Sequence, residues 1–388
     1  MLTKLLDQIN LHRDSLKQLS RAIWEHPEIA WHEKFAAATL RDYLTERGFK
    51  VSENCCGLET AFCCETGSGD GPTVAIAAEY DALPEIGHGC GHNLICTTAV
   101  AAFLALSEIL KSAAVPGKVL LLGTPAEEGG GGKVKMANAG ILDGVDAAIM
   151  LHPSSRNQID AGSTANAGFE VIFHGKSAHA AASPELGVNA LDAVTLLFAA
   201  VNAYRQQLPR HALIHGIINN GGAAPNIIPE TASCRFYLRT EREDFAPQLE
   251  KRFMDMVKGA ELMTGCTAEV MPFREAYRAR KPNAAMNEAF ACGMESFGCT
   301  VVYPKDSGRG SSDFGNFAQL VPGIHPYFAI VPEGEPAIAA HSPEFRDAAI
   351  SDFAFDNGLR AAASMAAVVY RFITEKDFRL AVQADFAK

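Results

Sequence analysis

The sequence predicts an α/β protein in two parts: an α/β domain with a largely parallel sheet, interrupted by a smaller inserted α+β domain of βαββαβ order. Three observations predict it. Short apolar runs alternate with helical patterns as far as Gly162, period-two strands with two helices follow, and the first pattern resumes after Pro282.

Taken in order, Leu2, Leu5, Leu6, Ile9, Leu16, Leu19 and Ile23 stand among Asp, Lys and Arg, which reads as one amphipathic helix ending before Pro27. The interspersed charges set it apart from the continuous apolar core of a signal peptide. Residues 32–46 repeat the helical pattern and close at Gly48; 73–78 form a short apolar strand, 94–110 an Ala/Leu-rich helix, and 119–122 and 145–151 two further buried strands. Such alternation with short connections is the mark of a parallel sheet covered on both faces. The inserted part then reads as strand 169–173, helix 188–207, an antiparallel pair 211–218 and 231–238, helix 243–262 and strand 267–271. The expected domains are 1–164 with 279–388, and 165–278, an arrangement tolerated where the two ends of a surface connection lie close together.

Composition supports two cores: of 388 residues, 48% are hydrophobic and 20% charged. A formal charge of −11 and a pI near 5.6 argue against a nucleic-acid partner, which demands a cationic surface. No uninterrupted apolar run reaches the roughly 18 residues of a membrane span, so none is expected. The ten cysteines include the adjacent pairs Cys55-Cys56 and Cys63-Cys64 and read as reduced thiols in a cytoplasm. Nine are expected to act as small apolar residues, with Cys90 the exception.

Chemistry concentrates where apolar strands end. Glu79-Tyr80-Asp81-Ala82-Leu83-Pro84, then Gly87-His88-Gly89-Cys90-Gly91-His92-Asn93, follow a strand and open a helix, the place where open α/β sheets hold ligands. Cys90 and His92 can aim at one ion because Gly91 permits a tight turn; the plainer alternative is a core thiol beside a helix cap. Thr124-Pro125-Ala126-Glu127-Glu128 and four glycines follow the next strand. Adjacent side chains on extended backbone diverge, so one carboxylate can bind metal while the other faces water; an exposed acidic turn is the alternative. His152 ends the third strand, as a ligand or a cap, and His341 sits before Ser342-Pro343, a helix-start signature. Cys90, His92, Glu128, His152 and His341 make a mixed S/N/O set suited to two divalent ions, zinc or manganese with cobalt possible; such ions about 3.5–4 Å apart activate a shared water. In the inserted part, His179 could donate to an oxyanion and Arg239 could pair with a substrate carboxylate. Asn226 between Pro225 and Pro229 reads equally as a turn, and Arg239 as a solvated strand end.

With these segments in place, HPEIAWHE, EYDALP, GHGCGHN, TPAEEGGGGK, LHP, HGKSAHAA, PNIIP, SSDFGN and AHSPEF, the chain resembles the M20 metallopeptidase family over almost its whole length. It is most similar in pattern to the amidohydrolase branch that includes the aminobenzoyl-glutamate hydrolases and M20 domain-containing protein 2. That resemblance implies a zinc-peptidase-like catalytic domain with a lid that also makes a homodimer, and assigns Cys90, His92, Glu128, His152 and His341 as metal ligands. It implies Glu127 as general base, Asp81 as the carboxylate orienting a ligand imidazole, His179 as a lid histidine serving its own or the partner's site, and Asn226 and Arg239 as substrate contacts. Where many relatives have CGHD this chain has Cys90-Gly91-His92-Asn93, and Ala78-Glu79-Tyr80-Asp81 replaces an arginine-alanine-aspartate run. The expected activity is hydrolysis of a small carboxylate-bearing amide: an N-acyl amino acid, an aminobenzoyl-glutamate-like amide or a dipeptide. The alternatives are hydrolytic deamination of an aromatic amine and a non-catalytic small-molecule binder.

Overall fold

A computed structural model describes residues 1–305 and 310–388. By contact density the chain divides into two units, with Ser163–Ala279 in the second and both Met1–Gly162 and most of the chain from Arg280 onward in the first.

The first unit opens with α1 (Leu2–Asn10), α2 (Arg13–Glu25) and α3 (Lys34–Thr45). The single amino-terminal helix expected from periodicity is therefore two. Leu11 and His12 close the first with bonds back to Asp7 and Ile9, and the direction changes so that both apolar faces reach the same core. Then come β1 (Val51–Glu53), β2 (Phe62–Ser68), β3 (Thr73–Ala78), α4 (His92–Ala113), β4 (Gly117–Gly123), α5 (Gly132–Asn138), β5 (Ala147–Ile149) and β6 (His152–Ser154). The main sheet runs β1-β2-β4-β3-β5 and ends on a strand supplied after the insertion. Its centre is parallel, while β1 and β2 add antiparallel pairs that the sequence pattern does not announce, because a half-buried strand such as Phe-Cys-Cys-Glu-Thr lacks a strong apolar run.

Alternation within β3 builds both layers. Val74, Ile76 and Ala78 join the core with α1 to α4, whereas Ala75 and Ala77 face a second cluster that includes Met136 of α5. α4 is the one helix among the described residues long and apolar enough to cross a membrane, and 89% of its apolar window is buried inside the protein.

The second unit contains β7 (Ala165–His174), α6 (Ala190–Arg205), β8 (Ala212–Asn220), β9 (Thr231–Thr240), α7 (Ala246–Thr264) and β10 (Thr267–Pro272). This is the expected βαββαβ order, folded as an antiparallel sheet β10-β7-β9-β8. Ala232, Cys234, Phe236 and Leu238 of β9 pack with α6 and α7 in a separate core. Arg235, Tyr237 and Arg239 therefore lie on the other face. Asn189 caps α6 by accepting from the backbone of Leu191 and Asp192.

Back in the first unit, the chain adds α8 (Ala284–Ser296), α9 (Phe314–Ala318), β11 (Gly323–Ile324), β12 (Tyr327–Ala329), α10 (Pro343–Ala348), α11 (Asp352–Thr374) and α12 (Lys376–Phe386). β11 pairs in parallel with β5 and completes the main sheet. β12 pairs in parallel with β6, with Tyr327 opposite His152. His152 thus begins a short second ladder rather than ending the strand before it, in the register of β5 on β11: the Met150 and His152 N–H groups donate to the Ile324 and Pro326 carbonyls between the two ladders.

Candidate metal centre

Five side chains expected as ligands meet in the first unit. Cys90 and His92 flank Gly91, which sits at φ 71° as the amino-terminal cap of α4. A β-carbon on Gly91 would lie 2.6 Å from Pro153 Cγ, so the turn needs glycine for space as well as for torsion. Glu128 follows β4 on a loop whose Ala126 is held at φ 59°, and His341, at φ 64°, immediately precedes the Ser342 cap of α10. Non-glycine residues in the left-handed region cluster at functional sites because the surrounding structure must hold them there. Here the Ala126 N–H donates to Glu33 (2.8 Å) and the His341 N–H to the Gly89 carbonyl (2.9 Å).

The resulting distances are those of a cation cage. His341 Nε2 lies 3.2 Å from Cys90 Sγ and 3.5 Å from Glu128 Oε1; His152 Nε2 is 3.9 Å from Cys90 Sγ, and His92 Nε2 is 3.9 Å from Glu128 Oε1. Cys90, His92 and His152 form one group able to hold an ion, and Cys90, Glu128 and His341 another, with Cys90 common to both; His92, Glu127 and Glu128 form a third. His92 Nε2, Glu128 Oε1 and Glu79 Oε2 are buried without a hydrogen-bond partner among the described residues. Buried polar atoms left so are costly unless an ion or water completes them, so the residues present fit one or two divalent ions.

Asp81 organises this cage. One oxygen accepts from His92 Nδ1 at 3.1 Å and the other from the Glu128 backbone N–H at 2.9 Å. Burial opposes charge on His92, but the bond to Asp81 and its charge prevail and raise the imidazole pKa well above its ordinary value. His152 is fixed differently: its Nδ1–H donates to the Pro153 carbonyl at 2.7 Å, and His325 stacks on its ring at 5.3 Å between centroids. Burial and the nearby His92 lower the His152 pKa to about 3, which leaves Nε2 with a free lone pair. Glu127 is pushed well above the usual carboxylate range by burial and by the charges of Glu79, Glu128 and Asp313.

Behind the cage lies a network that the sequence pattern does not single out. Lys133, fully buried at the start of α5, donates from Nζ to Glu79 and, at 2.7 Å, to Asp313, while its backbone N–H donates to the other Asp313 oxygen at 2.9 Å. Glu33, from the HPEIAWHE segment, accepts from Ala126, Trp31 and Thr60 and ties the loop of Glu127 to the amino-terminal region. The only hint of either in the sequence is an acid or a lysine inside an otherwise apolar or glycine-rich segment.

The remaining expected residues lie in the second unit. His179 bridges to Ile227, and the Ala180 N–H donates to the Asn226 carbonyl, so these two segments adjoin. His179 Nδ1 accepts from the backbones of Ala181 and Ala182 at 3.2 and 3.1 Å, which places its ring proton on Nε2. Arg239 donates to Ser311 at 3.0 Å and lies over the Tyr237 ring.

The sequence profile of the peptidase family M20/M25/M40 matches residues 75–363. The chain belongs to that family. It is 39% identical over 377 residues to the Xaa-Arg dipeptidase of Mus musculus, covering 93% of this chain and 86% of that protein. Against a chain of the p-aminobenzoyl-glutamate hydrolase of Escherichia coli (strain K12), identity is 34% over 311 residues, 75% of this chain and 64% of that one. Among solved structures, the aminobenzoyl-glutamate utilization protein of Klebsiella pneumoniae superposes with a TM-score of 0.71 at 21% identity, covering 95% of this chain and 98% of that one. Bacillus subtilis YXEP, described as a dinuclear metal binding peptidase of the M20 family, gives a TM-score of 0.70 at 20% identity, covering 93% and 99%. These likenesses show the same fold, a catalytic α/β domain carrying an inserted sheet domain. With the clustered donors, family membership makes the protein a metal-dependent hydrolase.

Proposed function

We propose that the protein cleaves the amide bond of a small dipeptide, N-acyl amino acid or aminobenzoyl-glutamate-like amide that carries a free carboxylate. The observation that carries this reading is the five-donor cage around Cys90 and Glu128 with the buried carboxyl of Glu127 beside it. The names of the two relatives, one acting on Xaa-Arg dipeptides and the other on p-aminobenzoyl-glutamate, share an amide whose amine side is an amino acid.

Cys90, His92, Glu128, His152 and His341 would hold two ions, zinc on the softness of the thiolate or manganese, with cobalt able to substitute. Such ions, when bound, lower the pKa of a water and polarise the carbonyl it attacks. Glu127 takes the proton of that attacking water and passes it to the leaving amine nitrogen. Asp81 accepts from His92 Nδ1–H, so Nε2 is the nitrogen that would exchange its proton for an ion. His179, with its proton on Nε2, donates to the developing oxyanion, in its own protomer or the partner's, while Arg239 grips the substrate carboxylate and Asn226 contacts the substrate.

A homodimer through the second unit accompanies this reading. It is supported by β8, an edge strand whose Ile217 and Ile218 are 62% and 46% exposed. The ten free thiols support a reducing, cytoplasmic setting.

The test is dialysis against a chelator, then addition of Zn²⁺, Mn²⁺ or Co²⁺ while amine release is followed over N-acyl amino acids, aminobenzoyl-glutamate and dipeptides ending in arginine or lysine. Amine release lost on chelation and restored by metal is expected. Metal uptake without cleavage of any amide would overturn the proposal.

A further inference from the structure

Glu79, Glu127 and Asp313 each offer an oxygen within 4.8 Å of the others, a fourth group with the spacing of a metal site. Its charge is answered from within the chain. The Lys133 ammonium, 0% exposed, bonds to Glu79 and Asp313, and burial, which opposes its charge, is outweighed by the surrounding carboxylates. Asp313 accepts from both the side chain and the backbone of Lys133, so the carboxylate is fixed beside the ammonium, which can swing away only by breaking its bonds to Glu79 and Asp313 together. The second oxygen of Glu79 points toward His92, 3.6 Å from Nε2.

We propose that Lys133 is a positioning residue that takes the place of a cation in this carboxylate corner, so that no further ion joins Glu79, Asp313 and Glu127 behind the cage of Cys90, His92, Glu128, His152 and His341. The inference rests on Glu127 being the proton acceptor. A carboxylate drawn into coordination by a third ion has its lone pairs committed and cannot take a proton from water. Lysine suits the task better than a metal because a compact, permanently held point charge cannot dissociate or be exchanged.

The test compares wild type, Lys133→Met and Lys133→Arg after metal stripping and equilibration with buffered Mn²⁺ or Zn²⁺, counting ions per chain by elemental analysis and separating kcat from KM. Wild type is expected to hold two ions. Lys133→Met is expected to take up a further ion and to lose at least about 100-fold in kcat with KM little changed, and Lys133→Arg to keep two ions. Wild-type stoichiometry together with a kcat within about threefold of wild type in Lys133→Met would overturn the inference. A wild type that holds no ion would instead overturn the metal-centre reading itself. If Lys133→Met does not fold, Lys133→Gln, which removes the charge and keeps a hydrogen-bond donor, decides the matter. Folded protein that takes up a further ion and loses kcat supports the role; folded protein that holds two ions refutes it.

Discussion

Asp81 uses both of its oxygens inside the site, one on an imidazole and one on the backbone of the next expected ligand, so a single side chain fixes two donors. Asp81→Asn is expected to lower metal affinity about 10–100-fold, the usual scale for losing such a support, as read by competition with a chromogenic chelator. Glu127→Gln should keep its metal and lose about 10²–10⁴ in kcat, the range for one acid–base group; normal turnover with metal bound would remove Glu127 from its role. Only ionised Glu127 accepts a proton. Burial and its acidic neighbours raise its pKa, so kcat/KM climbs as pH rises, with an acid limb above the ordinary glutamate value near 4.5. A limb at or below that value in the pH–rate profile would contradict the assignment. Cys90, His92, Glu127 and Glu128 were legible because each sits in a short run whose glycines have no other explanation. Lys133 and Asp313 were not, because a lysine after four glycines reads as a solvated helix start, and only folding brings it to an aspartate 180 positions away.

The glycines after Glu128 are where a local element decides the site. A β-carbon on Gly132, the first residue of α5, would fall 1.8 Å from the Pro125 carbonyl oxygen, so this helix can approach the loop of Glu127 only through glycine. Gly132→Ala is expected to lose about 2 kcal/mol or more of stability in urea unfolding, at the upper end for overpacking. Gly259 sits inside α7 with nothing within 4 Å of an added β-carbon, and Gly259→Ala should stabilise by about 0.5–1 kcal/mol in the same assay. At this scale the sequence was readable wherever periodicity was strong, as in α4 and β3. It failed at Leu11 and His12, where no proline or glycine marks the break, and at β6, where the apolar run continues past the end of β5 at Ile149 into a second short ladder of the same register.

For the molecule as a whole, the insertion was visible as a change of period and its reversal, and that legibility rests on the two units having separate cores. If β8 pairs with a second copy, Ile217→Lys should convert a dimer into a monomer in light scattering while leaving the metal content of each chain unchanged; a monomeric wild type would remove the dimer from the proposal. The interruption also orders events in time. Cys90, His92 and His152 leave the ribosome before the second unit is made, whereas His341 emerges 251 positions after Cys90. At about 5–20 residues per second, the nascent chain carries an unfinished cage for roughly 10–40 s after His152 has been added. Cys90, His92 and His152 form a donor group of early residues, but His152 is held by the Pro326 carbonyl and the His325 ring, so that group too waits on the chain that follows the second unit. The group that needs His341 closes later still, so the whole cage is a product of the returning chain and not of the segment that carries most of its donors.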